Sequence, residues 1–448
     1  MRKMKNDVKK IAAAAVLTAL GVSMLSGCGQ GKVTDGMMMD LKAAPLLVPY
    51  GNESDSARSV ASGINDFSFT MGSMLYEEYE GDNFVCSPIS LWLPLGALLN
   101  ASEEAYREEL MASLRLKDVT TEEVNEAVSR ILYCLTGEDD RGIYEMEGEE
   151  YQPALQLANM IFISDKYNLD RKFAQKYLDY YRGNSMAVDF ESGEAVEEIN
   201  RWASMQTHGE IDRVLEKLSP ETVAAIANAI YFKDSWDWKF SKEETGEGEF
   251  VSPDGTVTAD FMVRRGEGQS YYEDERMQAA CLDFARGARM YVLLPKQGKA
   301  DELYCTMKSE DLKRIAEGME HNASGTFKMP AFEIAGESMN LMTLLDKLNV
   351  PLTDALNPVV TGLVTEKEPL FISQAVQKAL IRVDEDGTTA AAVTVLAMEA
   401  GAAMMEKPDT TFEMICDRPF IFFLTDNTYD GGDQILFSGV VNRPERGK

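Results

Sequence analysis

Residues 383–409 read VDEDGTTAAAVTVLAMEAGAAMMEKPD. Three acids open the stretch, Gly387 follows, and then come two threonines, three alanines and a run of small or β-branched apolar residues. A Gly, Ala and Met mixture completes it before Lys407-Pro408-Asp409. The stretch is too apolar and too poor in turn residues for an ordinary surface loop. It is also too rich in Ala, and too short of bulky side chains, for a good core strand. Its neighbourhood in the chain has to explain it.

The chain has 448 residues, 45% hydrophobic and 26% charged, a globular composition whose length admits one large domain or two modest ones. Lys and Arg number 44 against 74 Asp and Glu, a formal charge of −30. So acidic a chain repels nucleic acid and anionic lipid surfaces, and its charge keeps it soluble. The N-terminus has the basic and apolar regions of a secretory signal, MRKMKNDVKK followed by IAAAAVLTALGVSML, and the apolar run is too short and Ala-rich for a transmembrane span. Leu25-Ser26-Gly27-Cys28 resembles the bacterial lipobox. That resemblance implies cleavage before Cys28 and lipid on its sulfur, with plain secretion as the alternative. We therefore expect a lipoprotein signal peptide over 1–27, a lipidated Cys28 and flexible tether over 28–58, and a folded domain over 59–446. The product would be lipid-anchored on the extracellular face of a bacterial membrane. Cys86, Cys134, Cys281, Cys305 and Cys416 form no CxxC or Cys/His cluster, so neither a metal site nor a disulfide framework is expected.

From Gly29 to about Arg58 no apolar period is sustained, which is why a tether is expected there. The rest reads as one mixed α and β unit with helices concentrated early. ASEEAYREELMASL places Tyr106, Leu110 and Leu114 on one helical face, and GEAVEEINRWASMQTHGEI places Val196, Ile199 and Ala203 on another before stopping at Gly209. ETVAAIANAIYF and ARMYVLLP are continuous apolar runs that suit strands covered on both faces. FKMPAFEI is a further strand, MNLMTLLDKL a short amphipathic helix, and RPFIFFLTDNTYDGGDQILFSGVV a hairpin.

Catalytic machinery is hard to find. The chain has 2 histidines. His208 sits at a helix end and His321 in a polar segment, neither near a G-x-S-x-G, an H-E-x-x-H or a nucleophilic Cys signature. No glycine-rich phosphate loop follows a strand, and the acidic surface accounts for the carboxylates. We expect no enzyme, no cofactor and no metal.

Several segments together resemble the serpins. NFVCSPISLWLPLGALLNAS (83–102) is similar to the family's N-x-F-x-S-P-x-S segment before a buried helix. INRWASMQTHGEI (199–211), NAIYFKDSWDWKF (228–240), MYVLLPKQG, FKMPAFEI, ISQAVQKALIRVDEDGTTAAAVT (372–394), DRPFIFFL and ILFSGVVNRP follow in family order, so the likeness runs from about residue 60 to Pro444. The resemblance implies an α+β serpin fold: a single domain with three β-sheets, eight to nine helices and an exposed reactive-centre loop. The implied activity is inhibition of a serine protease. The protease cleaves the loop, the loop's N-terminal arm inserts into the largest sheet, and the enzyme stays trapped as an acyl adduct. The alternative is a non-inhibitory serpin-fold surface lipoprotein, either a binding module or a cleavable substrate.

On that resemblance the opening stretch becomes hinge and bait. The hinge comprises Glu385, Gly387, Thr388, Thr389, Ala390, Ala391, Ala392 and Thr394. Insertion demands small uncharged residues first and alternation along the new strand thereafter. In the family's register Thr388, Ala390, Ala392, Thr394, Leu396 and Met398 face the core, while Glu399, the arm's one charge, faces outward. Family spacing counted from Glu385 places the scissile bond at Gly401–Ala402, with Ala400, Ala403, Met404 and Met405 as nearby alternatives. Small or flexible apolar residues there imply an elastase-like or subtilisin-like target, and Pro408 after Lys407 disfavours a trypsin-like one. Ser87, Ser90, Asn228 and Gln377 correspond to the buried polar cluster beneath the opening strands, and Trp236 to the aromatic at their upper end. Two residues depart from the pattern: Gln377 where relatives often carry His, and Thr389 where they often carry Glu. The expected partners are thus serine proteases and, through Cys28, a membrane; no nucleic acid is expected, and the chain should be a monomer.

Overall fold

The computed structural model describes residues 37–38 (backbone), 40–49, 55–79, 81–136, 154–219, 221–296, 299–335, 338–388, 410–426 and 432–445. Among them are three sheets and nine α-helices, as the α+β expectation requires. The helices are α1 (Asp55–Tyr76), α2 (Pro88–Leu98), α3 (Glu104–Ser113), α4 (Thr121–Leu135), α5 (Arg171–Tyr181), α6 (Glu194–Gln206), α7 (Ala300–Thr306), α8 (Ser309–Glu317) and α9 (Met342–Lys347).

The central sheet has six strands: β1 (Met37–Met38), β4 (Asn184–Val188), β3 (Leu155–Ser164), β5 (Ala224–Phe232), β14 (Gln374–Lys378) and β13 (Met339–Asn340), in that spatial order. Its middle strands are covered on both faces. All nine residues of β5 are buried, which is what its unbroken apolar run demands. One face of β5 and β14 carries Ala225, Ala227, Ala229 and Val376, which pack with Ile199, Trp202 and Ala203 of α6. Alanines on that face let the helix approach closely. Beneath the other face lies α2, whose eleven residues are all buried, starting on Pro88 where a missing N–H costs nothing.

Four short strands extend this sheet upward: β12 (Phe332–Ala335), β15 (Leu380–Val383), β16 (Gly387–Thr388) and β6 (Asp234–Ser235). Thus β14 and β15 are one line of chain interrupted at Ala379, and β5 and β6 another interrupted at Lys233. The third sheet runs β17 (Thr411–Ile415), β11 (Glu320–Pro330), β8 (Gly255–Glu273), β9 (Met277–Asp283), β10 (Ala288–Pro295), β18 (Phe420–Asp426), β19 (Gln434–Val441) and β2 (Phe84–Cys86), with β7 (Gly246–Ser252) paired to β8. The expected C-terminal hairpin is the antiparallel pair β18 and β19.

Local chemistry places the helix ends. Thr120 and Glu123 form a capping box at α4, each side chain bonding the other's backbone N–H. Asp170 caps α5 by accepting from Lys172 N (2.9 Å) and Phe173 N (3.0 Å).

Residues 40–49, which composition assigns to the tether, lie against the domain instead. Leu47 N donates to Ser129 Oγ (2.9 Å), Ala44 N to Asp179 Oδ1 (2.8 Å), and Gln175 Nε2 to Lys42 O (3.0 Å). Leu46 is buried. The partners are side chains of α4 and α5, so no pattern within 40–49 itself announces the docking. Helix α1 also begins at Asp55, inside the stretch expected to be tether.

Candidate functional site

The seam between β5 and β14 is the site. These strands are parallel, with Gln374 to Lys378 opposite Ala225 to Ala229 one for one. Above Lys378 and Ala229 the ladder stops. Residues 230–233 on one edge and 379–382 on the other have no ladder partner across the seam. Above this gap a third strand begins. Gly387 and Thr388 form β16, antiparallel to both sides, with Thr388 opposite Val383 of β15 and opposite Asp234 of β6.

The turn that feeds β16 is built by Asp384, whose Oδ1 accepts from Asp386 N (2.9 Å) and Gly387 N (3.2 Å). Gly387 has φ +150°, and a Cβ there would stand 2.1 Å from the Asp234 carbonyl oxygen, so no other residue fits between the strands. The segment after β6 grips the turn. Trp236 N donates to Asp386 O (3.0 Å), Phe240 N to Glu385 O (3.0 Å) and Trp236 Nε1 to Asp384 O (2.9 Å). Trp236 is itself wholly buried and stacked on Phe284 at 4.2 Å. Lys239 and Lys242 both pair with the Asp386 carboxylate, at 3.2 and 2.5 Å, and hold it below its ordinary range. Asp234 is different. Burial raises its carboxyl from 3.8 to about 6, against the pull of Arg286 and of two backbone N–H donors.

Ser87, Ser90, Asn228 and Gln377 meet beneath the lower half of the seam, all fully buried. Gln377 Oε1 accepts from Ser87 N (3.0 Å), and its Nε2 donates to Ser87 O and Ser90 Oγ (2.8 Å each). Asn228 Nδ2 donates to Ser90 O (2.8 Å) and to Asn159 Oδ1 (2.7 Å). Gln377 thus fills the family's His position with a complete set of hydrogen bonds and no titrating group. Asn228 and Gln377 are opposite in register, yet each bonds to α2 or β3 rather than to the other. Asn228 Oδ1 is enclosed and has no partner among the described residues.

The structure therefore brings Ser87, Ser90, Asn228 and Gln377 into one cluster, and Trp236, Glu385, Gly387 and Thr388 into another above it. Thr389, Ala390, Ala391, Ala392 and Thr394, the bonds among Ala400, Gly401, Ala402, Ala403, Met404 and Met405, and Cys28 all lie outside the described residues. Sequence reading misses Asn159, Asp234 and the two lysines, each of which acts through a partner far off in the chain. Asp384 acts locally on the turn through Asp386 and Gly387, and the Asp-Glu-Asp-Gly run at 384–387 gave the local sign of it.

A parallel strand pair closed below, parted above and already holding the first two residues of an antiparallel third strand defines a strand-insertion protein. The comparisons with known proteins agree. Residues 62–444 match the serpin (serine protease inhibitor) family profile. An uncharacterized serpin-like protein of Thermococcus kodakarensis is 30% identical over 396 residues, 87% of each chain. Alpha-1-antitrypsin of Meriones unguiculatus is 28% identical, covering 89% of this chain and 94% of that one. Human thyroxine-binding globulin, solved as its thyroxine complex, shares the fold with a TM-score of 0.73 at 23% identity, over 87% of this chain and 100% of that one. The chain belongs to the serpin family. Its members are commonly protease inhibitors rather than catalysts, and some are non-inhibitory.

Proposed function

We propose that the protein is a suicide inhibitor of an elastase-like or subtilisin-like serine protease, displayed outside a bacterial cell through lipid on Cys28. The observation that carries this reading is β16, two residues of the reactive loop seated as a third strand above an unpaired gap.

In the inserted arm, that register continued downward would give each residue two partners. Thr389 would meet Lys233 and Arg382, Ala390 Phe232 and Ile381, Ala391 Tyr231 and Leu380, and Ala392 Ile230 and Ala379, four residues for the gap. Thr394 then falls opposite both Asn228 and Gln377, and Leu396 opposite Ile226 and Ala375, pairs that already face each other. Directly opposed residues share a face, so Thr388, Ala390, Ala392, Thr394 and Leu396 turn toward α2. None of them carries a charge or much bulk until Leu396, whose burial contributes about 1.5–3 kcal/mol. Thr389 also finds its place. Arg382 already holds Glu333 in a two-point pair at 2.8 and 3.2 Å, so the arm need not bring a Glu to it.

Cleavage near Gly401–Ala402 frees the arm to complete this strand, which drags the acyl-enzyme with it. Incubation with a panel of elastase-like, subtilisin-like and trypsin-like proteases, followed by denaturing electrophoresis, tests the reading. An adduct of summed mass that survives boiling, formed with the first two classes, is the expected result. Clean cleavage without adduct would instead mark a non-inhibitory serpin.

A further inference from the structure

Arg264 lies on β8 beside the segment that grips the hinge, and it is 7% exposed. Its guanidinium sits over two rings, 4.9 Å from the Trp238 centroid and 4.4 Å from that of Phe240. Nη2 donates to the Trp238 carbonyl. Nε is enclosed without a partner, and Nη1 makes no hydrogen bond among the described residues. Two carboxylates are near, but neither bonds it. Asp283 pairs with Arg289 at 3.2 Å, and Asp237 is exposed. Burial draws the guanidinium down to about 10, while both carboxylates oppose that shift. A buried cation without a bonded counter-charge is costly to maintain.

Beside this group is a cavity of about 100 Å³. It forms where β8 parts from β9, since their ladder covers only residues 270–273 and 278–281. Arg264, Gln269, Asp237 and Asp283 give it polar lining, Ala280, Leu282 and Phe327 give it apolar wall, and the half-exposed Trp238 stands at its edge. A cavity of about 150 Å³ holds benzene, so an occupant here is smaller.

We propose that this cavity binds a short-chain monocarboxylate, with its carboxylate on the free Nη1 of Arg264 and its alkyl tail against Ala280, Leu282 and Phe327. The chemistry selects that class. A planar guanidinium with unused donors recognises a carboxylate. Asp237 and Asp283 in the lining repel anions, so a singly charged ligand is favoured over doubly charged phosphate or sulfate. The volume excludes long chains.

The probes are propionate, its neutral isostere propionamide, and phosphate and chloride at matched ionic strength. Propionate should raise the melting temperature saturably, by about 2 °C or more at saturation, and give saturation-transfer NMR signals from its methyl group. Propionamide, phosphate and chloride should do neither. Arg264→Gln should abolish both responses, and Arg264→Lys should weaken them; Trp238→Ala, at an exposed position, keeps the test open if the first variants fold poorly and should also weaken propionate binding. An unresponsive parent, an equal response to propionamide, or a response that survives in folded Arg264→Gln overturns the proposal. So does a parent that ignores propionate while Arg264→Gln lowers its melting temperature, because the guanidinium would then be serving a carboxylate of the chain itself.

Discussion

The two halves of the seam are made from the same two lines of chain and behave in opposite ways. In the lower half, five residue pairs zip β5 to β14, with α6 over one face and the Ser87, Ser90, Asn228 and Gln377 cluster under the other. In the upper half, four residues on each side lack a ladder partner across the seam, and the hinge is wedged above them. The lower half buries its polar groups with partners, Asn228 Oδ1 excepted, while the upper half keeps a buried carboxylate, Asp234, in a costly environment. The difference shows where the sheet is built to part. On the proposed function, insertion would begin where pairing is already absent and would then break the lower ladder, replacing each β5–β14 pair by two new ones.

The comparison can be broken most severely from the upper half. Ala392→Glu places a charge between Ile230 and Ala379, facing α2, at a cost of several kcal/mol. Adduct formation should fall to background while loop cleavage continues; undiminished adduct would show that the arm never reaches that depth. The lower half is tested by Gln377→Leu, which strips the partner from Ser87 N and should lower the stability of the uncleaved protein by about 2–3 kcal/mol in denaturant unfolding. A neutral result would mean that the cluster does not hold the seam shut.

Asp234 gives a pH test of the upper half. Its folded value of about 6 lies above the ordinary 3.8, so the folded state holds the proton more tightly than the unfolded chain. The ionised carboxylate therefore costs about 3 kcal/mol above about pH 6, and that cost disappears as pH falls toward 4. Asn mimics the protonated form. The melting-temperature difference, Asp234→Asn minus parent, should be larger at pH 7 than at pH 4.5; a difference that does not change with pH would remove the buried carboxylate from the account. The smallest effect is expected of Thr394→Val. On the proposed insertion, the register would bring Thr394 opposite Asn228, whose Oδ1 is unpartnered, so the uncleaved protein should melt unchanged and the cleaved one should lose about 1 kcal/mol.

Much of this was readable in the chain. The order of segments from Asn83 to Pro444 specified the family, and the continuous apolar runs marked β5 and β10. The resemblance also singled out Gln377 and Asn228, whose opposition in register the structure then supplied. What escaped was long-range pairing. Thr388 meets Asp234 and Asp386 meets Lys242 across more than a hundred residues, and no local period encodes either contact. Residues 40–49 escaped for a related reason, since they dock mainly through backbone groups to the side chains of α4 and α5.

The central claim is that the arm completes a strand between β5 and β14. Hydrogen exchange read by mass spectrometry, before and after cleavage at the reactive bond, tests it most directly. The account predicts that amides of residues 389–397 become strongly protected on cleavage, that residues 230–233 and 379–382 gain protection with them, and that the cleaved protein melts higher than the intact one. Residues 389–397 exchanging freely in the cleaved protein, with no gain along the two edges, would contradict it.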